Sequence, residues 1–563
     1  MIIMNKITTS FLVLGLLLFA GRSYAQFNPV WVTQYEHTVS PGYSNEGRKV
    51  AEDATGNVFV LADVTSDIDP SGVQGTSTFH YVTITKYSTN GSLLNTIDID
   101  VQDHYLSGYD NLGAFGLIVD PIGNIYAGYA TWNAISGFDI VLAKFDNNLT
   151  NLWTNSYPES GTESGIDLKL DQAGTLYAVV KSVDLQTVYS IVKSVPANAP
   201  SLLVYEYPGN GVVINSIALD NGQTAYVAGY ATKGGNKNAY VGAIDLASGT
   251  IAWSNMYTPK GVFGEDVLHA ITIGADGNIY SVGTSDQGAA GNRVLVLKNL
   301  PGNSRFEFIV LLRGSTFNTA GNFIDASESG WVYIGATSFT DNHAYIFRIP
   351  DDGIFSFPGR VEFTPVPNAA YNNINDISMT AMKVTASKNI YITGKITVDG
   401  PSGTFTSAYL NKASVVFGNA VVNAGGMPVD GDFNNNVEGL DISIDYSKSD
   451  VYLLRNNWND SHSKETIELI DLSVPSPLRG RLDNSLNEGT ISINQIKESN
   501  QIIIKSAELV NTIELFDLTG KAQVFKPCNA YKETINLNDL APGIYLCRVK
   551  TNSSENVKKV IIN

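Results

Sequence analysis

Short apolar runs alternate with turn residues along nearly the whole chain, and no stretch sustains the 3.6-residue spacing of an amphipathic helix. One phrase recurs. It reads DATGNVFVLA from Asp53, DPIGNIYAGYA from Asp120, DQAGTLYAVV from Asp171 and DNGQTAYVAGY from Asp220. It continues as ADGNIYSVG from Ala275, SESGWVYIGA from Ser327, ASKNIYITG from Ala386 and DYSKSDVYLL from Asp445. The eight copies align Phe59, Tyr126, Tyr177, Tyr226, Tyr280, Tyr333, Tyr391 and Tyr452 at intervals of 49 to 67 residues. Each copy has the chemistry of a hairpin. An apolar strand ends in Asp, whose carboxylate bonds backbone N–H groups just ahead, Gly supplies a positive φ, and a second strand resumes. A third strand follows, such as IVLAKF at Ile140–Phe145, then a fourth, such as NLWTNSY or TIAWSNMY. Four antiparallel strands repeated eight times predict an all-β fold, an eight-bladed β-propeller. A solenoid would need capping repeats, which the pattern lacks.

The eighth copy supplies three strands, LDISID, DVYLL and TIELID, and runs into VPSPLRGR without a fourth. At the other end of the chain WVTQY, Trp31–Tyr35, has the spacing of WTNSY (Trp153–Tyr157) and WSNMY (Trp253–Tyr257). It is expected to pair beside TIELID and close the ring, which would leave no bare strand edge. Trp31 and Tyr35, four apart on a strand, share a face and are expected to pack together.

In a four-stranded meander the first and third turns lie on one face of the ring. Here they are short: DPIG, DQAG, ADG, LASG. The second-to-third loops and the links between repeats lie on the other face and read as long, in Asp63–His80, Val101–Gly113 and Gly359–Asn375. Ligand contacts are expected there, with Tyr105, Tyr109 and Tyr371 as candidate aromatics. His37, His80, His104, His269, His343 and His462 fall on or beside that face, but on different repeats, so they do not all converge. The turn aspartates read as turn caps, not as metal ligands.

One loop carries candidate metal chemistry. In DGDFNNNVEGLD, Asp430, Asp432, Asn434, Glu438 and Asp441 stand at positions 1, 3, 5, 9 and 12 and resemble an EF-hand calcium loop. Asn435 replaces the usual Gly and Asp441 the usual Glu, and the flanks are strands, so an Asn/Asp-rich turn is the competing reading. No HExxH, GxSxG, Walker A, GxGxxG or CxxC pattern occurs in the mature chain.

At 563 residues the chain is long for one core unless that core is a repeat array. Residues 1–25 read as a signal peptide: Lys6, an apolar run from Phe11 to Ala20, and Ser23-Tyr24-Ala25 before Gln26. No later run is long and apolar enough for a membrane helix. The net charge of −18 argues against nucleic acid and anionic membrane partners. Cys528 and Cys547 are the two cysteines, and one bridge between them is the single disulfide open to the chain.

The repeat phrase, over Gln26–Pro477, resembles the SBBP-type β-propeller repeats of secreted bacterial proteins. From Ser485 the pattern changes to TISINQI, IELFDLTGK, INLNDLAPGIYLCRV and KKVIIN, expected to form a small Ig-like β-sandwich. These phrases resemble the type A C-terminal sorting domain of type IX secretion substrates, carried at Gly520, Lys521, Leu540, Gly543, Tyr545, Lys558 and Lys559. The resemblance implies passage through a type IX translocon, removal of the domain by a sortase, and release or attachment to lipopolysaccharide. The domains are thus expected at 1–25, 26–478 and 485–563. The functional expectation is a cell-surface or released propeller that binds a glycan or protein. A glycan-active or other hydrolytic enzyme, and a structural surface-layer component, are the alternatives.

Overall fold

The computed structural model describes residues 29–35, 44–68, 74–102, 113–133, 135–157, 159, 161–196, 199–207, 211–220, 223–258, 264–312, 318–338, 340, 342–351, 359–363, 373–385, 388–400, 403–415, 421–426, 436–445, 450–459, 462–471, 492–496, 501–517, 521–537, 540–551 and 555–562. Strand β1 (Pro29–Tyr35) comes first. The first meander is β2 (Ser44–Glu52), β3 (Val58–Ile68), β4 (Gln74–Tyr87) and β5 (Leu93–Gln102). The second is β6 (Gly116–Val119), β7 (Ile125–Asn133), β8 (Gly137–Phe145) and β9 (Asn151–Tyr157). The third is β10 (Thr162–Leu170), β11 (Leu176–Val183), β12 (Thr187–Lys193) and β13 (Leu202–Tyr207). The fourth is β14 (Val212–Asp220), β15 (Thr224–Lys233), β16 (Asn236–Asp245) and β17 (Thr250–Tyr257). The fifth is β18 (Asp266–Ile273), β19 (Ile279–Asp286), β20 (Asn292–Asn299) and β21 (Phe306–Leu312). The sixth is β22 (Thr319–Asp325), β23 (Trp331–Ser338), β24 (His343–Pro350) and β25 (Gly359–Phe363). The seventh is β26 (Asn373–Val384), β27 (Asn389–Gly400), β28 (Gly403–Val415) and β29 (Val421–Gly426). The last sheet has the order β1-β32-β31-β30, from β30 (Asn436–Asp445), β31 (Asp450–Asn459) and β32 (His462–Asp471). Strand β1 runs antiparallel to β32, with Trp31 opposite Leu469 and Tyr35 opposite Glu465. Among the described residues the fold is all-β, with one 3-10 turn at Gly288–Ala290.

The middle strands are apolar on both faces because each sheet is covered on both sides. Along β7, Ile125, Ala127 and Tyr129 face the first sheet, while Tyr126 and Ala130 face the third. The same division repeats from seam to seam. Between the seventh and eighth sheets lie Ala381, Tyr391 and Leu410 against Ile442, Val451 and Leu453. Val50, Val58 and Val60 of the first sheet pack against Tyr452 and Leu454 of the last.

The first strand of a sheet carries a bulge at one equivalent place, where the register slips past Arg48, Ile166, Asn215, His269, Asn322, Thr380 and Leu440. The bulges latch neighbouring sheets. Asn215 Nδ2 donates to Leu268 O at 2.7 Å, and Thr380 Oγ1 donates to Gly439 O at 2.6 Å. The carboxylate just after the bulge makes a second latch: Asp167 accepts from Ile217 N at 3.0 Å, and Asp441 accepts from Val50 N at 3.2 Å.

The expected long loop at Asp63–His80 is mostly strand, because β3 continues to Ile68 and β4 starts at Gln74. Of the expected loop Gly359–Asn375, Gly359–Phe363 is strand β25 and residues 373–375 open β26, while 364–372 and, in Val101–Gly113, 103–112 lie outside the described residues.

A separate unit spans Leu478–Asn563. Its strands are β33 (Ser492–Ile496), β34 (Gln501–Asp517), β35 (Ala522–Asn536), β36 (Gly543–Lys550) and β37 (Glu555–Ile562). They are ordered β33-β34-β36-β37, with β35 also on β34. The long β34 serves β33 with its first half and β36 with its second, around a core that includes Ile504, Leu515, Val549 and Val560. Cys547 is a free, buried thiol in that core, and burial pushes its pKa up to about 12.

Candidate functional site

On the short-turn face several described carboxylates are occupied. Asp53 Oδ1 accepts from Thr55 N and Asn57 N, both at 2.9 Å, and Asp120 Oδ1 accepts from Ile122 N at 3.0 Å and Asn124 N at 2.8 Å. Gly56 and Gly123 complete these turns at φ 83° and 90°. The aligned aromatics are buried beside them: Tyr280 Oη donates to Asp276 at 2.7 Å and Tyr126 Oη to Asp120 at 3.2 Å. A cation from the third strand covers many of these rings. Lys144 Nζ lies 5.0 Å from the Tyr126 ring centre, and Lys298 Nζ lies 5.3 Å from that of Tyr280. Lys298 also meets Asp276 at 3.3 Å, Glu307 at 3.2 Å and the Asp351 carbonyl of the next sheet at 2.7 Å. The sequence did not foretell this cation, although Lys or Arg recurs opposite the aromatic. These groups spend their bonding capacity on holding turns and seams, which leaves the face with little to offer a ligand.

The opposite face differs. A groove of about 390 Å³ opens between the third and fourth sheets. Lys181, Asp184 and Gln186, at and beside the β11–β12 hairpin tip, wall one side, and Val212, Val213 and Tyr230 wall the other. Tyr189 is buried at its base, where burial first and Tyr230 second raise its hydroxyl above the usual range. Lys237 lies 5.3 Å over the Tyr230 ring and pairs with Glu265 at 2.9 Å. The arrangement offers an aromatic floor with both signs of charge at its lip, suited to a polar ligand with an apolar flank.

On the first sheet Arg48 Nε meets Asp63 Oδ2 at 2.6 Å, and His80 Nε2 stands 3.6 Å from Asp63 Oδ1. Burial pushes the Asp63 carboxyl up, but His80, Arg48 and the Ala114 N–H outweigh it and hold it below the usual range. His269 sits at the bulge of β18, with Nε2 3.4 Å from Thr284 Oγ1, and His343 sits in β24 beside Tyr345. These described histidines belong to the first, fifth and sixth sheets and form no common centre. His462 lies in β32, while His37, His104, Tyr105, Tyr109 and Tyr371 lie outside the described residues.

Of the calcium-loop residues, Asp430, Asp432 and Asn434 lie outside the described residues, and Glu438 and Asp441 belong to β30. The Asp441 carboxylate is taken up by Val50 N and by Ile442 N at 3.0 Å. Among the described residues no three His, Cys, Asp or Glu side chains gather as a metal site.

In the C-terminal unit, Lys521 closes the hairpin after β34: its N donates to Asp517 Oδ1 at 3.1 Å and its carbonyl accepts from Asp517 N at 3.0 Å. Leu540 packs on the core, Gly543 opens β36, and Tyr545 Oη donates to Ala541 O at 2.8 Å. Lys558 and Lys559 lie in β37, Lys558 exposed. Gly520 is outside the described residues.

Residues 498–563 match the family described as the secretion system C-terminal sorting domain. The chain therefore carries a type IX secretion tail, which marks it for the cell surface or the extracellular space and implies interaction with the secretion system. No helix among the described residues is long and apolar enough to cross a membrane. No curated protein matches the chain. Similar solved structures include the periplasmic gluconolactonase PpgL of Pseudomonas aeruginosa, at 13% identity and TM-score 0.38, covering 63% of this chain and 98% of that one. A PL25 ulvan lyase matches at 12% identity and TM-score 0.38, covering 67% and 96%. PorZ of Porphyromonas gingivalis, a surface component of the type IX secretion system, matches at 9% identity and TM-score 0.22, covering 94% and 100%. Likenesses this distant assign no activity.

Proposed function

We propose that the chain is an exported binding protein: an eight-bladed β-propeller of SBBP-type repeats that holds an extracellular glycan or protein on the face opposite its aspartate turns. Ring closure is supported by β1 beside β32, and by the latch from Asp441 to Val50, which repeats the latch from Asp167 to Ile217. Residues 1–25 act as the signal peptide, 26–478 form the propeller, and 485–563 deliver it before a sortase removes them, with release or attachment to lipopolysaccharide to follow. The observation that carries the binding role is the groove of Lys181, Gln186, Tyr189 and Tyr230 on a rigid seam.

The test is a glycan array and a surface-protein panel probed with the mature propeller and with its Tyr230→Ala and Lys181→Ala variants. Binding that both substitutions weaken supports the reading. Binding that neither changes moves the site elsewhere, and blank panels remove the role. A second reading rests on Asp63 beside His80, an arrangement able to orient an imidazole as a general base in a hydrolytic or glycan-active enzyme. Turnover of a polysaccharide substrate that is lost in His80→Ala would favour it.

A further inference from the structure

Asp139 is the third residue of β8, and Glu163 is the second residue of β10; β8 and β10 pack against each other across the second–third seam. The approach there is close: Gly161 N donates to Ser136 O at 3.3 Å, and a Cβ on Gly137 would fall 2.6 Å from Gly161 O. Both carboxylates are buried, with Glu163 0% and Asp139 3% exposed. Each uses one oxygen. Ser182 Oγ donates to Glu163 Oε1 at 3.0 Å, and Asn133 Nδ2 donates to Asp139 Oδ2 at 3.0 Å. The other oxygens, Glu163 Oε2 and Asp139 Oδ1, are buried with no hydrogen-bond donor. At the same end of the seam Ser136 Oγ is also buried without a partner among the described residues. Among the described residues neither carboxylate has a Lys or Arg partner, unlike Asp63 with Arg48.

Two buried carboxylates without a counter-charge oppose each other and cost several kcal/mol of lost hydration. Burial first, then the negative charges of Asp139 and Glu159, push the Glu163 carboxyl up to about 8. The fifth sheet offers an internal comparison. There Asp266 stands where Glu163 does, opposite Ser285 as Glu163 is opposite Ser182. The counterpart of Asp139 in that seam is Asn238 of β16, whose amide donates to Asn236 O at 3.0 Å. At the place of Asp139 that seam has a neutral amide, whereas the second–third seam has a second carboxylate.

We propose that the second–third seam holds a hard divalent cation, of the calcium class, on Asp139 Oδ1 and Glu163 Oε2. The donors are all oxygen, which suits a cation that takes six to eight oxygens and accepts hydroxyl, carbonyl or water ligands beside its carboxylates. Bound cation supplies the missing counter-charge and gives both unbonded carboxylate oxygens a partner. The site is structural and does not depend on what the groove binds, so it can fail or stand separately from the binding role.

The experiment uses the full mature chain carrying Asp432→Asn, which disables the 430–441 loop as a rival cation holder. Terbium emission excited through Tyr157 and Trp153, and thermal melts with EDTA or excess CaCl2, are compared with and without Asp139→Asn. The expected result is terbium emission and an upward Tm shift in calcium with Asp139 present, both lost in Asp139→Asn. In EDTA the order inverts, with Asp139→Asn melting higher because a buried carboxylate with an oxygen left unbonded is gone. Glu163→Gln is expected to behave as Asp139→Asn does. The site is overturned if calcium and terbium leave the Asp139-containing chain unchanged. It is equally overturned if Asp139→Asn keeps the calcium shift, or melts lower in EDTA.

Discussion

Because β1 lies beside β32, a covalent staple between them should convert the chain into a cyclic fold without disturbing any other sheet. Gln34 and Thr466 are register partners in the antiparallel ladder. Replacing both by Cys places two thiols at adjacent backbone positions, within the Cα separations that a disulfide accepts. The bridge closes a loop of roughly 430 residues, and the loop-entropy relation puts the resulting stabilisation at ~6 kcal/mol. Native-state strain subtracts from that figure, so a gain of about half is a reasonable yield. The assay is oxidation of the purified propeller, followed by peptide mapping, a non-reducing gel and thermal melts with and without reductant. A monomeric species with faster mobility, a peptide linking the two positions, and a reductant-sensitive rise in Tm are expected. Failure to bridge within one chain, or bridging only between chains, would refute the pairing and the ring with it.

Three other outcomes follow from the seams and turns. Lys298→Met should cost roughly 1–3 kcal/mol in a chemical denaturation curve, because it leaves the Asp351 carbonyl unbonded and strips the counter-charge from the partly exposed Asp276 and Glu307; an unchanged midpoint would mean the cation is dispensable. Asp53 is shifted from 3.8 to about 2: burial raises its pKa, but hydrogen bonds from Thr55, Asn147 and Asn57 outweigh burial. The associated stability, ~2 kcal/mol, is present above the unfolded value and lost as pH falls toward 2, so Asp53→Asn should flatten the acid limb of a stability–pH curve. Deleting Leu478–Asn563 should leave the propeller in the periplasm, read by cell fractionation; delivery to the surface without the tail would contradict its sorting role.

The four-stranded units were legible because their two signals are local and physical. Strands buried on both faces must be apolar throughout, and their turns need Asp and Gly at fixed places. The tail was legible for a similar reason, since Lys521, Gly543 and Tyr545 serve one hairpin, one strand start and one buried ring. The bulges were not legible. Arg48, Ile166, Asn215, His269, Asn322, Thr380 and Leu440 share a backbone position and no side-chain chemistry, so no residue code marks them. The acid pair was hidden differently: Asp139 and Glu163 belong to different sheets, and each alone reads as a strand-end carboxylate. The groove lies on the face that the second-to-third loops mark, but its residues were not legible, because the loops that stand out in the sequence are the long ones. Its wall is the tight hairpin tip at Asp184–Gln186, positioned by the rigid strands beneath it.

The pairing of β1 with β32 also sets an order in time. Seven of the sheets join strands that are neighbours in sequence, so each can zip up soon after its own residues emerge. The eighth joins the two ends of the array and has to wait for Asp471 before the N-terminal strand has anywhere to go. Strand β1 is made among the first and seated last, and until then β32 has an open edge that another chain could occupy.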